Sequence, residues 1–145
     1  MSKLAFIFPG QGAQKAVMGK DFYENSEAAR SFFDQAQKIL DFDLKEMCFG
    51  EHEELNLTEY TQPCMVSVCL AIVQELKKRG INPDITAGLS LGEYAAVAAA
   101  GGMNELDAIK LVRRRGILMQ STVPAGDLQQ RQPSHEPYRS MVSVP

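Results

Sequence analysis

Apolar positions open the chain as a short, nearly continuous run, Leu4-Ala5-Phe6-Ile7-Phe8, closed by Pro9-Gly10. A run of this length without polar alternation predicts a strand buried on both faces, as in a parallel sheet. Gly10-Gln11-Gly12 then reads as a loop. From Ser26 the period changes: Ala29, Phe32, Phe33, Ala36, Ile39 and Leu40 recur at three- and four-residue steps. That is one apolar stripe of a helix starting near Glu27, with Ser26 as its cap. A short helical turn follows over residues 44–49, stopped by Gly50, and Glu51-His52-Glu53-Glu54 reads as a solvated loop. Thr61-Gln62-Pro63 predicts the next helix entrance, because proline is tolerated in a first turn. Met65, Val66, Cys69, Ile72, Val73 and Leu76 share one face of that helix. Lys77, Lys78 and Arg79 complement the dipole at its end, and Gly80 with Asn82-Pro83 stops it. Residues 85–89 form a second short apolar run and predict a second strand. Residues 91–100 are small and apolar all round, which predicts a buried helix ended by Gly101-Gly102. Asn104 caps a last helix in which Leu106, Ile109, Val112 and Gly116 align. Strands separated by helices imply an α/β fold with a parallel sheet. After Gly126 both periods stop. Residues 127–145 are polar and proline-bearing, and read as an irregular or disordered tail to a domain spanning residues 1–126.

Composition narrows this picture in a few places. A hydrophobic fraction of 45% over 145 residues is enough for one core. The net charge of −3, with both signs interspersed, argues against a nucleic-acid partner; Arg113-Arg114-Arg115 is too short a basic run to form a binding face. No apolar stretch approaches the roughly 20 residues of a membrane span. Cys48, Cys64 and Cys69 form no C-x-x-C and read as buried apolar filler. The N-terminus runs straight into the first strand without a signal peptide, so a cytoplasmic setting is expected. No metal-ligating cluster is evident, and no cofactor is expected.

The chemistry concentrates at Gly88-Leu89-Ser90-Leu91-Gly92. G-x-S-x-G is short, and its meaning rests on context: it follows an apolar strand and opens a helix. There the serine projects beyond the strand end as a nucleophile. A side chain at Gly88 or Gly92 would collide with the neighbouring strand or helix, so both must be small. The N–H of Leu91, at the helix N-terminus, is available to an oxyanion. A second donor is expected from Gly10-Gln11-Gly12, because in a parallel sheet both loops leave the same edge. The alternative is a glycine-rich turn in which Ser90 merely caps the helix.

Phe8-Pro9-Gly10-Gln11-Gly12-Ala13-Gln14, Gly88-Leu89-Ser90-Leu91-Gly92-Glu93-Tyr94 and Arg115-Gly116, in this order and at these separations, resemble the malonyl-CoA:acyl-carrier-protein transacylases. The resemblance covers residues 1 to about 126. It implies a ping-pong transfer in fatty acid biosynthesis. Ser90 takes the malonyl group from coenzyme A as an ester and passes it to the phosphopantetheine thiol of acyl carrier protein. It further implies that Gln11 and Leu91 supply oxyanion N–H groups and that Arg115 pairs with the free malonyl carboxylate, a role suited to a planar guanidinium. Arg113 and Arg114 are read as surface charges. The resemblance also implies an acyltransferase domain with an α/β-hydrolase-like nucleophile elbow.

The chain departs from the family pattern in two respects. Leu89 stands where the family usually has histidine. The family also continues beyond Gly126 with a ferredoxin-like subdomain and an activating histidine that neither His52 nor His135 matches. The chain therefore reads as a truncated or frame-shifted version, with catalysis impaired and residues 127–145 non-homologous. A serine esterase shares G-x-S-x-G but usually carries a different oxyanion loop; an inert fragment and a methylmalonyl-specific enzyme stay open.

Overall fold

The short apolar runs pair as expected. In the computed structural model, which describes residues 2–122, strand β1 (Ala5–Phe8) lies parallel to β2 (Ile85–Gly88), with Ala5 opposite Ile85 and Phe8 opposite Gly88. The crossover between them is helical, as parallel pairing requires. It comprises α1 (Lys20–Asn25), α2 (Glu27–Ile39), α3 (Leu44–Phe49), a 3-10 turn (Glu53–Asn56) and α4 (Thr58–Lys78). After β2 come α5 (Gly92–Ala99) and α6 (Glu105–Thr122). The architecture is α/β with a small parallel sheet. The tail read into residues 127–145, with the boundary near Gly126, lies outside the described residues.

Local chemistry explains most boundaries. The Ser26 hydroxyl accepts from the Ala29 N–H at 3.0 Å and starts α2, whose buried stripe is Ala29, Phe32, Phe33 and Ala36. Asp43 caps α3 in the same way at 3.0 Å, through the Glu46 N–H. Asn104 accepts from Leu106 and Asp107 at the head of α6 (2.9 and 3.2 Å). Gly80 and Gly101 take positive φ (75° and 81°) where α4 and α5 stop. The core lies where α4 packs between α2 and α6, around residues such as Phe33, Leu70, Ile109 and Val112.

Four expectations need correction. First, α4 begins at Thr58, not near Thr61, so Pro63 sits inside it. Proline removes the N–H that would bond the carbonyl four residues back, that of Glu59. Arg113 from α6 donates to this carbonyl at 2.7 Å, which lets the helix extend through the proline. Second, α4 is buried on more than the predicted face, because Cys64, Ser67, Leu70 and Ala71 are covered as well. Third, Glu53 and Glu54 belong to the 3-10 turn, which plugs Leu55 into the core. Fourth, the strands are not covered on both faces by the described residues: Ile7 is 78% exposed and Ile85 55%. Likewise Val97 on α5 faces out while Ala95, Ala96, Ala98 and Ala99 are buried. The thiols behave as filler. Cys48 and Cys64 are fully buried, and burial pushes the Cys69 thiol up to about 11.

Candidate active site

Because β1 and β2 are parallel, their C-terminal ends share one sheet edge and the loops leaving them touch. The Leu89 N–H donates to the Phe8 carbonyl at 3.2 Å, and a Cβ on Gly10 would stand 2.9 Å from the Leu89 carbonyl oxygen. Ser90 occupies the turn from β2 into α5 with φ +51°. A left-handed backbone costs a serine about 1–2 kcal/mol, so the surroundings must impose it. They do. A Cβ on Gly88 would overlap the backbone of Gly92, and a Cβ on Gly92 would overlap the Phe8 carbonyl. The turn is packed directly onto backbone on both sides. Ser90 is exposed, whereas the Leu91 side chain is buried and anchors the turn.

Backbone donors remain available beside the hydroxyl. The N–H groups of Gly92, Glu93 and Tyr94 donate to the carbonyls of Leu89, Ser90 and Leu91 at 2.9, 3.2 and 3.2 Å. The Leu91 N–H, at the head of α5, has no acceptor among the described residues, and neither does the Gln11 N–H. Both lie on the loops that meet at this sheet edge, where the α5 dipole favours negative charge.

Arg115 reaches this edge from α6. Gly116 makes the approach possible: a Cβ there would stand 2.8 Å from the Thr58 carbonyl oxygen and 2.9 Å from the Glu59 Cα. Arg115 Nη2 lies 3.3 Å from Ser90 Oγ, and Nη1 donates to Gln62 Oε1 at 2.8 Å. The guanidinium carbon stands 5.5 Å from the centre of the Tyr94 ring. Fully buried Gln62 turns its Nε2 toward Gln11 Oε1 (3.4 Å) and Met119 Sδ (3.3 Å). Gln11 in turn donates to Thr58 Oγ1 at 3.0 Å. The predicted residues Ser90, Leu91, Arg115 and Gln11 thus converge, the last through Gln62.

Gln62 and Tyr94 escaped the sequence reading. The available signal for Gln62 was an uncharged polar side chain embedded in the apolar run of α4. Arg113 is a correction. It is no surface charge: its side chain is 12% exposed, forks onto Asp41 (2.8 and 3.0 Å) and packs 5.0 Å from both Phe42 and Tyr60. Arg114 is exposed, as expected. His52 bonds Glu46 at 3.0 Å beside α3 and has no contact with Ser90, and His135 lies outside the described residues. Among the described residues no helix is long and apolar enough to cross a membrane, and no group of three or more His, Cys, Asp or Glu side chains is placed to hold a metal.

The acyl transferase domain family model matches residues 5–143. The chain is 48% identical over 128 residues to the malonyl CoA-acyl carrier protein transacylase of Bacillus subtilis, covering 88% of this chain and 40% of that protein. It superposes on the crystal structure of malonyl CoA-acyl carrier protein transacylase from Clostridium perfringens with a TM-score of 0.80 and 44% identity, covering 84% of this chain and 39% of that one. A type II PKS acyl-carrier protein in complex with its malonyl-transacylase is also similar, with a TM-score of 0.79 and 39% identity over 85% of this chain and 40% of that one. The chain therefore spans about 40% of the length of the relatives it matches.

Proposed function

This chain belongs to the acyl transferase domain family, and from that premise we propose that it carries the nucleophile and carboxylate-binding portion of a malonyl-CoA:acyl-carrier-protein transacylase. The turn at Ser90 acts as a nucleophile elbow. Ser90 Oγ attacks the thioester carbon of malonyl-CoA, and the developing oxyanion is held by the N–H groups of Leu91 and Gln11. The carbon–sulfur bond breaks, coenzyme A leaves as its thiol, and the proton lost by Oγ accounts for the one gained by sulfur. The phosphopantetheine thiol of acyl carrier protein then attacks the malonyl-serine ester and regenerates the hydroxyl. Ester exchange of this kind requires no bound cofactor. A cytoplasmic, reducing setting fits the free thiols of the chain.

One observation carries the reading: an arginine whose partners among the described residues are all neutral stands 3.3 Å from the serine hydroxyl. A guanidinium in this setting suits a substrate with a carboxylate remote from its reacting carbonyl, which malonyl has and acetyl lacks. The proton acceptor for Ser90 is assigned, by resemblance, to a histidine in the portion of the relatives' length that this chain does not span.

The test is incubation with malonyl-CoA followed by intact mass and peptide mapping. A malonyl ester on Ser90, absent from Ser90→Ala, is the expected result. Malonylation at another residue, or equal modification of Ser90→Ala, would overturn the assignment.

A further inference from the structure

Several cationic side chains meet carboxylates: Arg113 meets Asp41, Arg79 meets Glu75, Lys45 meets Asp34 and Lys77 meets Glu105. The half-buried Arg115 differs from these: among the described residues its partners are an amide oxygen, a hydroxyl and an aromatic ring. We propose that Gln62 is a positioning residue that fixes the Arg115 guanidinium toward Ser90 while leaving its charge uncompensated, so that the site selects an anionic acyl group. The proposal rests on the reading of Arg115 as the carboxylate clamp.

The direction of the Gln62 amide follows from chemistry. Arginine has only donors, so the atom facing Nη1 at 2.8 Å must be Oε1. Nε2 then faces Gln11 Oε1, and Gln11 Nε2 faces Thr58 Oγ1, so every group in the chain of contacts meets its complement. Gln62 is fully buried, and its neighbours Thr61, Pro63 and Cys64 are buried as well, which leaves the amide little freedom to swing. A glutamate at this position would have the same shape and would hold Nη1 more firmly. It would also place a negative charge on the guanidinium and compete with the substrate carboxylate for it. A neutral amide separates orientation from charge, which the carboxylate does not.

The test compares binding of malonyl-CoA and acetyl-CoA by calorimetry to the full chain, to Gln62→Glu and to Gln62→Met, with a two-dimensional amide NMR spectrum showing that each is folded. The wild-type chain is expected to bind malonyl-CoA more tightly than acetyl-CoA. Gln62→Glu is expected to weaken malonyl-CoA binding about tenfold and leave acetyl-CoA binding unchanged. Gln62→Met keeps the volume and the positive charge but loses the orienting oxygen. It is expected to weaken malonyl-CoA about threefold with acetyl-CoA again unchanged, and it decides the matter should the glutamate variant not fold. A folded variant that retains the wild-type preference, or loses both ligands equally, would overturn the role of Gln62 alone. A wild-type chain without preference would instead overturn the reading of Arg115, and this proposal with it.

Discussion

Ser90 is held in a conformation that serine disfavours, and its replacement should expose the cost. Ser90→Gly removes the Cβ from a position with φ +51°. It should stabilise the chain by about 1 kcal/mol in urea unfolding, while abolishing acylation. A loss of stability would mean that the hydroxyl, not the backbone, is what the fold needs at this position. The residue scale is also where the sequence was most and least informative. Ser90, Leu91 and the Gly10-Gln11-Gly12 loop could be singled out because glycines at fixed offsets and loops at one sheet edge constrain what the backbone can do, whereas Arg115 and the role of Gln11 rested on the family resemblance. Gln62 and Arg113 were not legible, because their roles arise from contacts across 53 and 72 positions of chain, to Arg115 and Asp41. Three adjacent arginines look alike in sequence, yet α6 sends one to the serine, one to Asp41 and one to solvent.

At the scale of elements, the glycines that seat the turn and the arginine that repairs α4 carry the predictions. Gly88→Ala sets a methyl group into the Gly92 backbone, which cannot yield as a side chain would. Thermal unfolding should show a loss of about 3 kcal/mol, with near-wild-type stability as the contradicting result. Arg113 joins α6 to α4 through the Glu59 carbonyl, and to the segment after α2 through Asp41. Arg113→Ala should cost about 3 kcal/mol by the same measurement. The hydrogen bond from Arg113 also holds the Asp41 carboxyl below the usual carboxylate range. A depressed folded pKa contributes stability above the unfolded value of about 3.9, which is lost as pH falls through the folded value. The wild-type chain should therefore lose stability on acidification below about pH 4 more steeply than Arg113→Ala; parallel acid limbs would contradict the pairing. The start of α4 was misread for the same reason that Arg113 was. Proline forbids one hydrogen bond locally, and only the fold supplies a distant donor for the carbonyl left over.

For the whole molecule, element order and parallel pairing followed from the apolar runs and their helical spacing. The burial of those runs did not, because it depends on what covers them. The described residues leave Ile7, Leu89, Leu118 and Ile85 exposed, and an apolar cleft of about 460 Å³ opens between β1 and α4. Unpaired strand edges beside such a surface favour association between chains. The native chain should bind an apolar fluorescent dye and sediment faster as its concentration rises. Ile7→Lys, at an exposed position, should reduce both with little change in unfolding midpoint. Absence of dye binding and of concentration dependence in the wild-type chain would show that this surface is covered in solution.

As proposed, Ser90 and Arg115 form one acyl-transfer site selective for a carboxylate-bearing acyl group. A single competition measures it: equimolar malonyl-CoA and acetyl-CoA in one reaction, with the two serine esters counted by intact mass for the wild-type chain and for Arg115→Ala. The malonyl ester should predominate in the wild type, and Arg115→Ala should shift the ratio to acetyl. Equal amounts of the two esters in the wild type, or an unchanged ratio in Arg115→Ala, would contradict it.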